Sequence, residues 1–211
     1  KTAAVDLFDK KILGTAGSSA LLEKFSPGWE LSYLILTNGT EFQPLAIAQD
    51  HKRLLDQDKG PNTGGMGTIA PLKISTELEK NIQEQIILPT LSELQKNGVV
   101  YRGIIFFGLM ITQDGPSLLE FNCRFGDPET QVILPLIEDD FGLVMKDLSQ
   151  GKIRKFKSKN ITATCVVMAA PGYPEKPLKG IPIEGDIQYQ TNSSYFLHAG
   201  TMKTANSWVT N

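Results

Sequence analysis

An apolar run from Gly103 to Ile111 constrains this chain more than any other stretch. A turn signal, Gln113-Asp114-Gly115-Pro116, follows it. Ser117 to Phe121 then reads as the returning strand of a β-hairpin. At the end of that strand polar groups crowd together, in Glu120-Phe121-Asn122-Cys123-Arg124-Phe125-Gly126-Asp127-Pro128-Glu129-Thr130-Gln131. Glu120 and Asn122 are two apart, so an extended strand projects both from one face. A carboxylate beside an amide oxygen suits a hard divalent cation such as magnesium, which takes one or two carboxylates and completes its shell with phosphates. Arg124 shares that face if the strand continues, beside the metal and able to meet an anion. Phe121 and Phe125 face the other way, and Cys123, with their parity, reads as a packing residue. The competing reading is a solvated strand end.

At 211 residues the chain is long enough to bury a real core, as one domain or one domain plus a smaller piece. A formal net charge of -2 gives no basic surface for nucleic acid. Cys123 and Cys165 have no close Cys or His pairing, which argues against a zinc site or disulfide framework and for a reducing, cytoplasmic compartment. No apolar stretch reaches the roughly 18 residues of a membrane span, and no signal peptide follows Lys1 to Lys10. The chain does not begin with Met and stops at Thr210-Asn211 in what reads as mid-element. It is expected to be a piece of a longer protein.

In chain order, Thr2 to Leu13 reads as a short amphipathic helix ending towards Gly14. Ala20 to Phe25 reads as a strand entering a turn at Ser26-Pro27-Gly28. Glu30 to Thr37 and Phe42 to Ala48 read as a hairpin about Asn38-Gly39. Gln49 to Gly67 has no apolar periodicity but holds Gly60, Gly64, Gly65 and Gly67, and reads as a long polar loop of functional kind. Ser75 to Asn97 reads as a helix capped by Ser75 or Thr76, kinked or split by Pro89 and ended by Gly98. Thr130 to Leu136 and Asp140 to Gln150 read as helical pieces. Lys152 to Asn160 is a basic surface linker. Strands are expected at Thr162 to Ala170, Ile187 to Gln190 and Tyr195 to His198, around a Pro/Gly-rich turn region from Pro171 to Pro182. His198 is expected to be structural.

Three stretches carry a resemblance. Gln49-Asp50-His51-Lys52-Arg53, Gly60-Pro61-Asn62-Thr63-Gly64-Gly65-Met66-Gly67 and the Glu120-to-Gln131 run closely resemble the phosphoribosylamine–glycine ligase (glycinamide ribonucleotide synthetase) family of the ATP-grasp superfamily. The likeness extends through Ala170-Pro171-Gly172-Tyr173-Pro174 and Phe196-Leu197-His198-Ala199-Gly200-Thr201. It implies an α+β ATP-grasp fold, truncated, with a partial C-terminal β-rich domain. The expected division is 1–24 as a remnant of the small subdomain and hinge, 25–156 as the large subdomain, and 157–211 as the partial C-terminal domain. The implied reaction joins glycine to 5-phosphoribosylamine through glycyl phosphate, with ATP and Mg2+ or Mn2+, in purine biosynthesis. Nothing in the sequence sets the oligomeric state.

Site residues follow from the resemblance. Glu120 and Asn122 match the family's metal ligands. Glu23, Lys24 and Phe25 occupy the adenine hinge, walled by Leu22 and Phe25, and Glu30 the ribose position. Asp50, His51, Lys52 and Arg53 with Asn62, Thr63, Gly64, Gly65 and Met66 form the substrate side, Lys52 and Arg53 meeting phosphate and the loop amides lining the pocket. His51 is equally a structural hydrogen bonder. Arg124 stabilises charge on the transferring phosphoryl group. Asp127 and Glu129 hold the glycine ammonium, with turn capping the alternative for Asp127. Two departures stand out. The lysine and glycine-rich lid over the ATP phosphates would precede Lys1, which leaves open whether the chain alone turns over. A second metal carboxylate of many ATP-grasp relatives is replaced here by Phe107. A binding-only remnant and an ATP-grasp ligase of another specificity are the alternatives, the latter disfavoured by the Asp50-to-Arg53 and Gly-Gly-Met-Gly combination.

Overall fold

The computed structural model describes residue 6 and residues 14–187, 189–205 and 207–211. The helix expected over Thr2 to Leu13 lies outside the described residues, Asp6 apart. Strands β1 (Trp29–Thr37) and β2 (Phe42–Pro44) form a hairpin. Strand β3 (Gln49–Asp50) leads into a small hairpin of β4 (Arg53–Leu55) and β5 (Lys59–Asn62), and β6 (Gly67–Ala70) returns beside β3. Helix α1 (Thr76–Ile82), a π-helical turn (Gln83–Ile87) and helix α2 (Leu88–Lys96) follow. Strands β7 (Gly103–Thr112) and β8 (Gly115–Asn122) make the long hairpin. Helix α3 (Glu129–Ile133), a 3-10 turn (Leu134–Leu136) and helix α4 (Phe141–Ser149) precede β9 (Ala163–Val166), β10 (Thr201–Lys203) and β11 (Trp208–Thr210).

The central sheet is antiparallel in the order β2-β1-β7-β8. Both of its faces are covered, which explains why Leu31 to Thr37 are all buried. Leu31, Tyr33, Ile35, Ile105, Phe107 and Leu109 pack under Ile82, Ile87 and Leu91 of the α1–α2 layer. On the other face Leu34, Leu36 and Phe106 pack under Val132, Ile133, Leu136, Val144 and Leu148 of the α3–α4 layer. Ser75 caps α1, its hydroxyl accepting from Leu78 N–H at 3.1 Å. The expected break near Pro89 takes the form of the π turn ahead of it, with Pro89 inside the first turn of α2, where a missing N–H costs little. Gly98 closes the helix at φ 70.

Several expected elements differ. Ala20 to Phe25 forms no strand: Leu21, Leu22 and Phe25 are 84%, 96% and 85% exposed, because no described strand lies beside them to take their backbone hydrogen bonds. The long polar loop is built instead of β3, the β4–β5 hairpin and β6. The hairpin turns through Gln57 and Asp58, both at positive φ. Among the described residues, the segments expected as strands at 187–190 and 195–198 share only the Gln190–Tyr195 bridge, and Phe196 and Leu197 are exposed. The ordered strands of that region are β10 and β11. His198 stacks on Trp208 with ring centroids 3.9 Å apart, a structural placement. β9 pairs with β6, so the order is β3-β6-β9, and a strand from beyond residue 157 completes a sheet begun at residue 49.

Candidate active site

Strand register assembles the site. Ser32 stands opposite Gly108, and Gly108 opposite Glu120; in the next row Leu34, Phe106 and Asn122 align. Ser32, Glu120 and Asn122 therefore share the face that carries the α3–α4 layer. Gly108 leaves room for this: a Cβ there would lie 3.0 Å from Glu120 Cγ. A bulge between Gly108 and Leu109 breaks strict alternation, so Leu118 turns to the opposite core. Asn122 Nδ2 donates to Glu120 Oε1 at 3.2 Å. Phe107 is fully buried on the far face, edge-on to Phe121 at 5.4 Å, well removed from these polar groups. The strand stops at Asn122, so parity does not carry further. Phe125 packs against Phe141 on the near face, whereas alternation placed it with Phe121. Arg124 is exposed, its Nη1 donating to Phe125 O at 2.8 Å. Cys123 is exposed rather than packed.

Beyond the turn, Asp127 is exposed and its Oδ1 accepts from Gln131 Nε2 at 2.6 Å. Glu129 behaves differently. It is 2% exposed, and its Oε1 accepts from Ser32 Oγ at 2.8 Å. Asp50, also buried, accepts from Lys52 Nζ at 3.3 Å and from Thr68 Oγ1 at 3.4 Å. Burial pushes the Asp50 and Glu129 carboxyls above their ordinary values, and the Lys52 and Ser32 contacts only partly offset it. Burial works against the charge on Lys52, yet Asp50, then Glu30 and Glu129, outweigh it and hold the ammonium above its ordinary pKa. Lys52 thus sits among three carboxylates. With Glu120 on the same sheet face, the local balance favours cations. A polyanion approaching it needs its own positive charge.

Gly65 binds the two motif loops together, and Gly126 packs on a carboxylate within its own motif. A Cβ on Gly65, at φ +130, would stand 2.4 Å from Pro128 Cδ and 2.7 Å from Asp50 Oδ1. A Cβ on Gly126 would meet Glu129 Oε2 at 2.2 Å. The glycine-rich loop is therefore seated on the buried Asp50 carboxylate, and glycine is required at position 65 for close approach. The free-amide pocket expected for this loop is not what the structure builds. Thr63 N–H donates to Lys52 O, Gly64 N–H to Tyr173 Oη, Gly65 N–H to Thr63 Oγ1 and Met66 N–H to His51 O. Arg53, expected to meet phosphate, spends Nη1 on Gly60 O at 2.8 Å and braces the hairpin. His51 is exposed with Nδ1 3.2 Å from Gly67 O, the structural bonding that was one of its two expected roles. Asn62 is exposed at the end of β5.

The hinge residues lie elsewhere. Lys24 and Phe25 line a cleft of about 690 Å3 between residues 24–29 and the β7–β8 turn. Its walls come from Trp29, Ile111 and Pro116, and Leu22 takes no part. Glu23 is exposed outside it. Glu30 lies on β1 within electrostatic reach of Lys52. Glu120 and Asn122 fit a divalent cation as oxygen donors. Among the described residues no cluster of three or more His, Cys, Asp or Glu would hold one unaided. Water or phosphate oxygens must fill the shell. Ser32 and Tyr173 were missed from the sequence. Ser32 carried a signal, a hydroxyl inside an aliphatic strand, which once buried needs a partner.

Comparison with known proteins places the chain in a family by two matched segments. Residues 1–130 match the family described as "Phosphoribosylglycinamide synthetase, ATP-grasp (A) domain", and residues 163–211 match "Phosphoribosylglycinamide synthetase, C domain". The chain is 43% identical over 213 residues to the trifunctional purine biosynthetic protein adenosine-3 of Gallus gallus, covering 99% of this chain and 21% of that protein. It is 44% identical over 193 residues to the phosphoribosylamine–glycine ligase of Ralstonia nicotianae, covering 90% of this chain and 46% of that one. The crystal structure of the phosphoribosylamine–glycine ligase of Thermotoga maritima superposes with a TM-score of 0.79 at 35% identity, over 100% of this chain and 53% of that chain. The chain thus spans about half the length of such ligases. Among the described residues no helix is long and apolar enough to cross a membrane.

Proposed function

Since the chain belongs to the phosphoribosylglycinamide synthetase family and carries part of its ATP-grasp fold, we propose that it forms the phosphoryl-transfer part of a ligase joining glycine to 5-phosphoribosylamine. ATP passes its terminal phosphoryl group to the glycine carboxylate, giving glycyl phosphate and ADP. The substrate amine attacks the acyl carbon, phosphate leaves, and glycinamide ribonucleotide forms, a step of purine biosynthesis. One observation carries the reading: Gly65 seated on Asp50 and Pro128 brings the Asp50-to-Gly67 and Glu120-to-Gln131 motifs onto one acidic sheet face.

Roles follow from exposure and charge. Glu120 and Asn122 would hold Mg2+ or Mn2+ together with phosphate oxygens and water, and the cation supplies the charge neutralisation that this acidic face needs. Lys24 and Phe25 offer backbone groups and an apolar ring to the adenine. Glu30 takes the ribose hydroxyls. Lys52, one-third exposed, presents its ammonium to a substrate phosphate. Arg124, exposed and bonded to an adjacent carbonyl, swings to the transferring phosphoryl group at small cost. Asp127, oriented by Gln131, accepts the glycine ammonium. Asp50 and Glu129, only 7% and 2% exposed, act by holding Lys52 and the start of α3.

The test is glycine- and phosphoribosylamine-dependent ADP release, measured in parallel on this chain and on the protein carrying it at natural length. Release that needs both substrates and a divalent cation is expected from the natural-length protein. No release from it overturns the reading. Release that needs a different carboxylate assigns another ligase specificity.

A further inference from the structure

The Pro171-Gly172-Tyr173-Pro174 motif has no part in the roles above, yet its tyrosine reaches the site. Gly64 N–H donates to Tyr173 Oη at 3.1 Å across 109 residues of sequence. The same stretch of chain holds the far end of the loop. Val167 N–H donates to Met66 O at 2.9 Å, and Gly67 pairs with Val166 so closely that a Cβ on Gly67 would lie 3.0 Å from Cys165 O. The loop is gripped on its outer side by Tyr173 and β9 and rests on its inner side against Asp50 and Pro128.

We propose that Tyr173 is a positioning residue for the candidate site, its hydroxyl holding Gly64 so that Gly65 stays seated on the carboxylate that orients Lys52. The geometry runs in one line. Tyr173 is half-buried and long enough to span from the tail to the loop. Gly64 follows Thr63, whose hydroxyl accepts from Gly65 N–H and donates to Lys52 O, so a shift at Gly64 is passed to both neighbours of the pair. Gly65 then shields Asp50 from water. The ring of Tyr173 supplies packing, and the hydroxyl alone supplies the hold on Gly64. This rests on the reading that Lys52 faces the ligand, but the latch itself is measurable without any ligand.

Tyr173→Phe separates hydroxyl from ring. In this chain we expect amide hydrogen exchange at Gly64 and Gly65 to quicken about fivefold, the effect of one exposed hydrogen bond, with Leu34 and Ile105 amides unchanged. The Lys52 ammonium, followed by NMR titration against its surrounding Asp50, Glu30 and Glu129, shifts to a lower midpoint as Asp50 loosens. Gly64→Ala provides an independent variant, since its Cβ would press on the Tyr173 hydroxyl at 3.3 Å, and it should reproduce both effects. Unchanged exchange at Gly64 in the folded Tyr173→Phe variant, or at Gly65 in the folded Gly64→Ala variant, overturns the latch. Uniform acceleration at all amides also overturns it, because Tyr173 would then contribute only global stability. If the latch holds while natural-length protein shows no ADP release, the ligase reading fails and the positioning role stands.

Discussion

Ser32 on the central strand and Glu129 in the first turn of α3 are joined by a 2.8 Å hydrogen bond across 97 residues, with both side chains buried. That bond ties the sheet to the turn carrying Arg124 and Asp127. Ser32→Ala would leave a buried carboxylate without its hydroxyl donor. It should cost about 1–3 kcal/mol near neutral pH, measured by urea denaturation, and less in acid, where Glu129 is neutral. An equal cost at both pH values would show that the charge on Glu129 is not what Ser32 serves.

Glu129 should also set part of the pH dependence of stability. Burial raises its carboxyl above the ordinary 4.5, so the folded chain binds that proton more tightly than the unfolded chain. Its contribution is full below the ordinary value and is lost as pH rises through the raised folded value. Glu129→Gln removes the titration, and the fall in stability from acid towards neutral pH should become shallower. Asp50, shifted in the same direction, accounts for the slope that remains. Denaturation midpoints across that interval check this; an unchanged slope would remove Glu129 from the account.

Gly65 and Gly98 both have positive φ, but only Gly65 is crowded. Gly98→Ala meets open space and should cost roughly 1–2 kcal/mol, the backbone penalty alone. Gly65→Ala adds a clash with Pro128 and Asp50, so its cost should be clearly larger and should come with a disturbed Lys52 titration. Equal costs would mean that the loop moves aside freely.

Glu120 is exposed, so Glu120→Ala should leave unfolding free energy within about 0.5 kcal/mol of the parent. With Mn2+ and ADP present, paramagnetic broadening of the Asn122 side-chain amide should appear in the parent and vanish in the variant. Broadening that persists would place the cation elsewhere.

Local chemistry made much of the fold legible. The Gly103-to-Ile111 run, the Asp114-Gly115 turn and the Ser75 cap act within a few residues of themselves, and all were found where expected. Glu120 and Asn122 share a face because strand alternation is local. The same rule failed at Phe125 and Leu118, where the strand end and a bulge interrupt alternation. Ala20 to Phe25 failed differently: an extended apolar segment becomes a strand only if another strand lies alongside it.

The sequence by itself determined the motif chemistry, the main hairpins and the helix boundaries, since each depends on neighbours close in the chain. Only the tertiary structure decided which acids are buried and paired and which stay exposed. Asp50 and Asp127 look alike in the sequence. One is buried under Gly65 and paired with Lys52, the other is exposed beside Gln131. Burial depends on what distant segments pack above a residue, and for Asp50 those segments are the glycine loop, Pro128 and, through Gly64, Tyr173.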